Sequence, residues 1–149
     1  MIFFSDARYQ AGQSHAEYAE YWRDNLTRMP QTALRLSGGM LPLEFFDNVN
    51  DPVLLHDARI QAANTNEAGT SLTLHGDDNG LLRVIEIQYD CFGLTAADFP
   101  EHLLKNNPEC DLMCHEFICQ NDYFEHHILF ADGTEILIQF NSINVNAHP

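Results

Sequence analysis

The chain has 149 residues, 45% hydrophobic and 11% aromatic, with 22 acidic side chains against 7 basic ones and a formal charge of −15. That length suits one folded unit burying roughly two-thirds of its unfolded surface, and the apolar content excludes disorder. The charge excludes nucleic acid and anionic lipid as partners, and no apolar run approaches the ~20 residues of a membrane span.

The N-terminus, MIFFSDARYQ, has neither a basic n-region nor a long apolar h-region. The expectation is therefore a cytoplasmic protein without a secretory signal. Thiols stay reduced in that compartment, so Cys91, Cys110, Cys114 and Cys119 read as packed thiols and not as bridges.

Ser14-His15-Ala16-Glu17 predicts a helix start with a capping box, Ser14 reaching the third amide and Glu17 reaching back. Tyr18, Trp22, Leu26 and Met29 then recur at helical spacing as one apolar stripe. Pro30 interrupts it, and a second short helix runs from Gln31 to about Ser37, closed by Gly38-Gly39. MLPLEFFDNVNDP reads as a loop anchored by Phe45-Phe46.

Strands are expected over Val53–Ala63, Thr70–His75 and Leu81–Cys91, with turns at Asn64-Thr65-Asn66 and Gly76-Asp77-Asp78-Asn79-Gly80. The apolar run Leu82, Val84, Ile85, Ile87 predicts a central strand covered on both faces. Thr95–Asn106 reads as a short connecting helix capped by Thr95, with Pro100 limiting its first half. Leu112–Gln120, Tyr123–Phe130 and Glu135–Val145 complete the strands, the last two joined through Ala131-Asp132-Gly133-Thr134, a hairpin signal. The expected fold is a single α+β domain over 1–149, with a helical portion at 1–40. The sheet portion, 53–145, forms an antiparallel sheet of about six strands.

Three groups invite chemistry. Cys110-x3-Cys114-His115-x3-Cys119 carries zinc-ligand types, but the odd separation of Cys114 and Cys119 along a strand points them to opposite faces. No metal or cofactor is expected there. His56-Asp57 resembles the paired ligands of metal-dependent phosphohydrolases but stands at a strand entrance, where both side chains can bond nearby backbone. His126-His127 with Glu125 offers acid–base groups, and only His127 shares a face with Glu125. No phosphate-binding glycine loop or nucleophile elbow is present.

Acids cluster in loops: Asp47, Asp51 and Asp57; Asp77-Asp78; Glu109 and Asp111. The spacing at Asp77-Asp78-Asn79-Gly80 lacks the alternation of a calcium loop. A solvated acidic face is one reading of these clusters, and electrostatic docking onto a basic protein is the other.

The stretches Phe3–Tyr9, Leu55–Ile60 and Phe124–Ile136 resemble small bacterial proteins of unknown function, some of which sit beside polymorphic toxins and are read as immunity proteins. The resemblance implies an α+β fold without established enzymatic activity, and it carries no functional residues. The resulting expectation is a non-enzymatic acidic protein that occludes a basic toxin domain, with a nuclease as one such partner. Asp47, Asp51, Asp77, Asp78, Glu109 and Asp111 would make the contact, flanked by the aromatic anchor Tyr123. The alternatives are a small metal-dependent hydrolase built on His56, Asp57 and a strand histidine, and a subunit that self-associates through an edge strand.

Overall fold

The structure is a computed structural model that describes residues 1–5, 8, 10–78 and 81–149, with the backbone alone described at Asp77, Asp78 and Leu81. Helix α1 spans Ser14–Asn25 and α2 spans Gln31–Leu36, separated at Pro30 as its missing donor requires. A 3-10 turn at Leu43–Phe46 leads to six strands: β1 Arg59–Asn66, β2 Gly69–Asp78, β3 Leu81–Cys91, β4 Leu112–Cys119, β5 Phe124–Phe130 and β6 Glu135–His148. They form one antiparallel sheet in the order β1-β2-β3-β6-β5-β4, so the fold is α+β, as its sequence pattern predicts.

Several local expectations change. The capping box at Ser14 does not form, because Gln13 is the N-cap and Ser14 lies inside the first turn, buried, with its hydroxyl unbonded. The apolar stripe holds at Tyr18 and Trp22, both fully buried, but Leu26 falls past the helix end and is 42% exposed. The segment 53–58 is irregular instead of extended, since Asp57 takes a positive φ of 62° and breaks the run before Arg59. Asn64–Asn66 remain in β1, and the turn falls on Glu67 and Ala68 because Asn66 pairs with Gly69. The β2 ladder continues through Asp78, so Gly76–Asp78 are strand; Asn79 and Gly80 lie outside the described residues.

Strand β3 is central, between β2 and β6, yet among its described side chains Ile85, Ile87 and Tyr89 are buried in the core, with Cys91 partly buried against it. Leu82 is 77% exposed and Glu86 lies outward, so this is a one-face strand despite its apolar run. The segment 95–106 makes two 3-10 turns, Ala96–Asp98 and Glu101–Leu103, because Pro100 separates them and Lys105 and Asn106 both take positive φ. Thr95 does cap the first turn, its amide and hydroxyl both donating to Asp98.

One hydrophobic cluster joins α1 and α2 to the inner face of the sheet, with Trp22, Tyr18, Leu36, Leu55, Leu72, Tyr89, Phe117 and Phe140 fully buried. Both sheet edges are covered. The outward amides of Phe117 and Cys119 on β4 donate to the hydroxyls of Tyr18 and Tyr21 at 2.7 and 2.6 Å. Just before them the buried Glu116 carboxylate accepts backbone N–H groups from Ile2, Phe3 and Phe4. On β1, the carbonyls of Ile60 and Gln61 accept from Asn106 and Lys105, and Thr65 accepts from Ala96. The outermost strands are also drawn together, with Asp57 donating to the Leu112 carbonyl and Leu112 donating to that of Ala58, each at 2.8 Å.

Tyr18→Phe leaves a buried strand amide without an acceptor and is expected to cost about 1–3 kcal/mol, more than Tyr21→Phe at its half-buried site. Urea unfolding of the two variants against the parent measures the difference.

Candidate functional site

The meeting of β1 with the entrance to β4 creates a polar cleft of about 570 Å³, lined by Asp57, Arg59, His75, Gly76, Asn106 and Asp111 together with the exposed Leu82. Four elements build it: the irregular 53–58 segment, the start of β1, the β2–β3 hairpin, and the 104–111 loop. Backbone strain concentrates here. Asp57 and Asn106, both lining the cleft, hold positive φ values of 62° and 56°, and Lys105 beside them holds 66°. Asx residues tolerate this region best, and such conformations persist where surrounding hydrogen bonds over-determine them. Here the amides of Asp57, Lys105 and Asn106 are all bonded to carbonyls.

Arg59 crosses the cleft and pairs with Asp111, which raises the guanidinium pKa; Asp57 contributes to the same field. On the far side, Asp51 is held by both Arg83 and Arg35, and the hydrogen bond from Arg83 holds its carboxyl below the usual range. Arg83 sits opposite Gly76 in the β2–β3 ladder, on the face of β3 that carries Ile85 and Ile87, whereas Leu82 of the cleft points to the other face. Glu109, two residues before Asp111, is exposed, and Asp132, from the β5–β6 turn, adds a further carboxylate beside Cys110.

The acids selected from sequence are thus partly assembled. Asp111 lies in the cleft with Glu109 two residues before it, while Asp51 is outside the cleft lining, and Asp51 and Asp111 are each paired with their own arginines. Asp77 and Asp78 continue β2 from Gly76, though their side chains lie outside the described residues. Asp47 is exposed after the 3-10 turn. Tyr123 stands apart, at the β4–β5 turn, packed edge-on against Phe92.

The other sequence candidates separate. His56 Nδ1 lies 3.1 Å from Asp57 with both side chains exposed, and among the described residues no histidine of the Phe124–Phe130 strand joins them; the strand histidine in the cleft is His75. His127 pairs with Glu125 at 3.0 Å, and despite burial this bond holds the Glu125 carboxyl low. His126 and His115 are core residues. His126 Nδ1 is 2.8 Å from the Tyr89 hydroxyl, its Nε2 is 3.0 Å from His115 Nδ1, and its ring stacks on Phe117 at 4.0 Å. Their full burial removes them from solvent chemistry. The four cysteines are free thiols, and Cys114, His115 and Cys119 form no ligand cluster among the described residues.

Sequence reading missed His75, Asn106 and Asp132 as neighbours of Asp111. Only the pairing of Ala131 N–H with the Asp111 carbonyl, 2.8 Å across a 20-residue separation, brings the last of them there. No family model matches the chain, and no curated protein or solved structure matches it either.

Burial pushes the His115 pKa down to about 3 and holds His126 well below its ordinary value. The unfolded chain gains a proton near pH 6.5 and the folded one does not, so stability falls as pH drops from 6.5 towards 3. From pH 6.5 to pH 5, His115 alone is expected to remove about 2 kcal/mol. Urea midpoints at pH 7 and pH 5 measure this loss, which should shrink in His115→Phe.

Proposed function

We propose that the protein is a non-enzymatic acidic binding module that seats a basic protein against the Asp57–Asp111 cleft and its carboxylate margin. The observation that carries this reading is the commitment of the cations. Arg8, Arg23, Arg35, Arg59, Arg83 and Lys105 are each ion-paired to a carboxylate of the same chain, and Arg28 donates to the Gln120 carbonyl. With 22 acids in the chain, that internal pairing leaves a large anionic excess for an external cation to meet.

A toxin nuclease suits this surface chemically. Its cleft is cationic because it holds phosphates, and an acidic face occupies such a cleft while its field steers encounter. The protein then acts as an immunity protein in the cytoplasm, where its four free thiols stay reduced. No helix among the described residues is long and apolar enough to cross a membrane. The covered edges of β1 and β4 argue against the self-associating alternative, because the groups an incoming strand needs are already bonded at several positions.

The partner is expected to be the product of an adjacent reading frame with a basic C-terminal toxin domain. Binding of that domain should weaken steeply between low salt and 0.5 M NaCl, where the screening length falls to about 4 Å. The paired change Glu109→Lys with Asp57→Asn should weaken it at least ~tenfold. Asp122→Lys, at the β4–β5 turn, should leave it nearly unchanged. Salt-independent binding, or equal loss in the Asp122 control, would overturn the assignment of this face.

A further inference from the structure

His102, Cys110 and Asp132 lie on three separate turns, and one ligand atom from each falls within 4.8 Å of the other two. We propose that these three side chains form a binding site for one borderline-soft divalent cation of the zinc class, with a fourth position open to water.

The dimensions suit such an ion. Metal–ligand bonds of about 2.0–2.3 Å in a tetrahedron set ligand–ligand edges of roughly 3.3–3.8 Å. Asp132 Oδ2 is 3.0 Å from His102 Nε2 and 3.7 Å from Cys110 Sγ. That single oxygen accepts the Cys110 thiol S–H and faces the His102 ring nitrogen, which also meets the Thr134 hydroxyl at 3.0 Å; a divalent cation replaces the thiol proton and draws the three ligands together. The ligand types select the metal: a thiolate with an imidazole favours zinc or cobalt over calcium or magnesium, which take oxygen.

A supporting shell is already present. Asp132 Oδ1 accepts the Thr134 amide at 2.9 Å, which leaves Oδ2 directed at the other two groups. The Asn107 side-chain amide donates both to the His102 carbonyl and to Cys110 Sγ, fixing the two ends of the 102–110 segment relative to each other. Such outer contacts orient ligands and set affinity. Cys110 is 3% exposed while the side chains of His102 and Asp132 are 51% and 30% exposed, so the ion has an entry path on the imidazole side. Glu109 and Asp111, flanking Cys110, add negative potential that favours a cation.

On binding, M²⁺ forms a bond to Cys110 sulfur as the S–H bond breaks, and that proton leaves to solvent. His102 binds through its neutral nitrogen and Asp132 through its carboxylate. The ion would clamp the 95–111 crossover to the tip of the β5–β6 hairpin.

Tag-free, reduced protein titrated with Co²⁺ tests the site. One equivalent should produce a thiolate-to-cobalt charge-transfer band in the near ultraviolet with tetrahedral visible bands, and Zn²⁺ should displace it. Calorimetry of Zn²⁺ in two buffers should report about one proton released per ion near pH 7. Asp132→Asn and His102→Gln, both at exposed positions, should each weaken Co²⁺ at least ~tenfold while far-ultraviolet dichroism stays unchanged. Cys110→Ser should abolish the charge-transfer band, whereas Cys114→Ser and Cys119→Ser keep it. Absence of the band in the parent, its survival in Cys110→Ser, or its loss in Cys114→Ser or Cys119→Ser would overturn the site. None of these readouts depends on a protein partner.

Discussion

The outer edge of β4 is the place on which the rest of the molecule depends. An edge strand presents unpaired amides, and two of them here donate to tyrosine hydroxyls on α1, 99 and 98 residues away in the chain. Glu116, next to the Phe117 amide, turns its carboxylate to the backbone of Ile2, Phe3 and Phe4, so residues 2–4 and α1 are both tied to one strand. Phe3 and Phe4 then pack on Tyr18 at 5.3 Å each, which closes the same corner with apolar area. A buried carboxylate with several N–H donors is well satisfied, and removal of any partner leaves a costly orphan. The helical third cannot shift without exposing these groups.

A second closure sits at the other side of the sheet. The hydrogen bonds of Asp57 and Ala58 with Leu112 draw the two outermost strands towards each other, and Lys105 and Asn106 seal the β1 edge beside them. Residues far apart in sequence therefore meet in one small region: Asp57, His75, Asn106 and Asp111 in the cleft, and His102, Cys110 and Asp132 just beyond it. The positive-φ residues belong to this closure. Asp57 and Asn106 bend the chain where it must turn into and out of the edge, and their side chains face the cleft as a result. The charge distribution follows the same geometry, since Arg59 and Arg83 answer Asp111 and Asp51 while Glu109 remains exposed.

Much of the fold was legible because hydrophobic periodicity reports burial directly. The Tyr18–Trp22 spacing, the break at Pro30, the alternation of Ile136, Ile138 and Phe140, and the Asp132-Gly133 turn each have a local cause, and each appears in the structure. The errors have local causes too. Ser14 looked like a cap, yet burial of its side chain outweighed the amide it would have satisfied. Leu82 and Val84 suggested a strand covered on both sides, but the helices pack on one face only, and apolar content does not reveal which. In sequence His126 groups with His127 and Glu125 as an acid–base candidate, and it lies in the core, where the Tyr89 hydroxyl and His115 partner its ring nitrogens.

What the chain determines by itself is the set of elements, their order and the surplus of negative charge, because propensity, periodicity and composition act between near neighbours. Grouping of the acids was visible only as loop clusters, and the pairing of Asp51 with two arginines or of Cys110 with Asp132 was not visible at all. Those contacts bridge separations of 16, 32 and 22 residues. They exist because β4–β5 pairing sets Leu112 against Phe130, which brings Cys110 to Asp132, and because the Val53 amide bonds the Arg35 carbonyl, which holds Asp51 beside α2. Tertiary structure decided which carboxylates are answered and which remain open, since charge pairing depends on distance in space and periodicity along the chain carries no such distance.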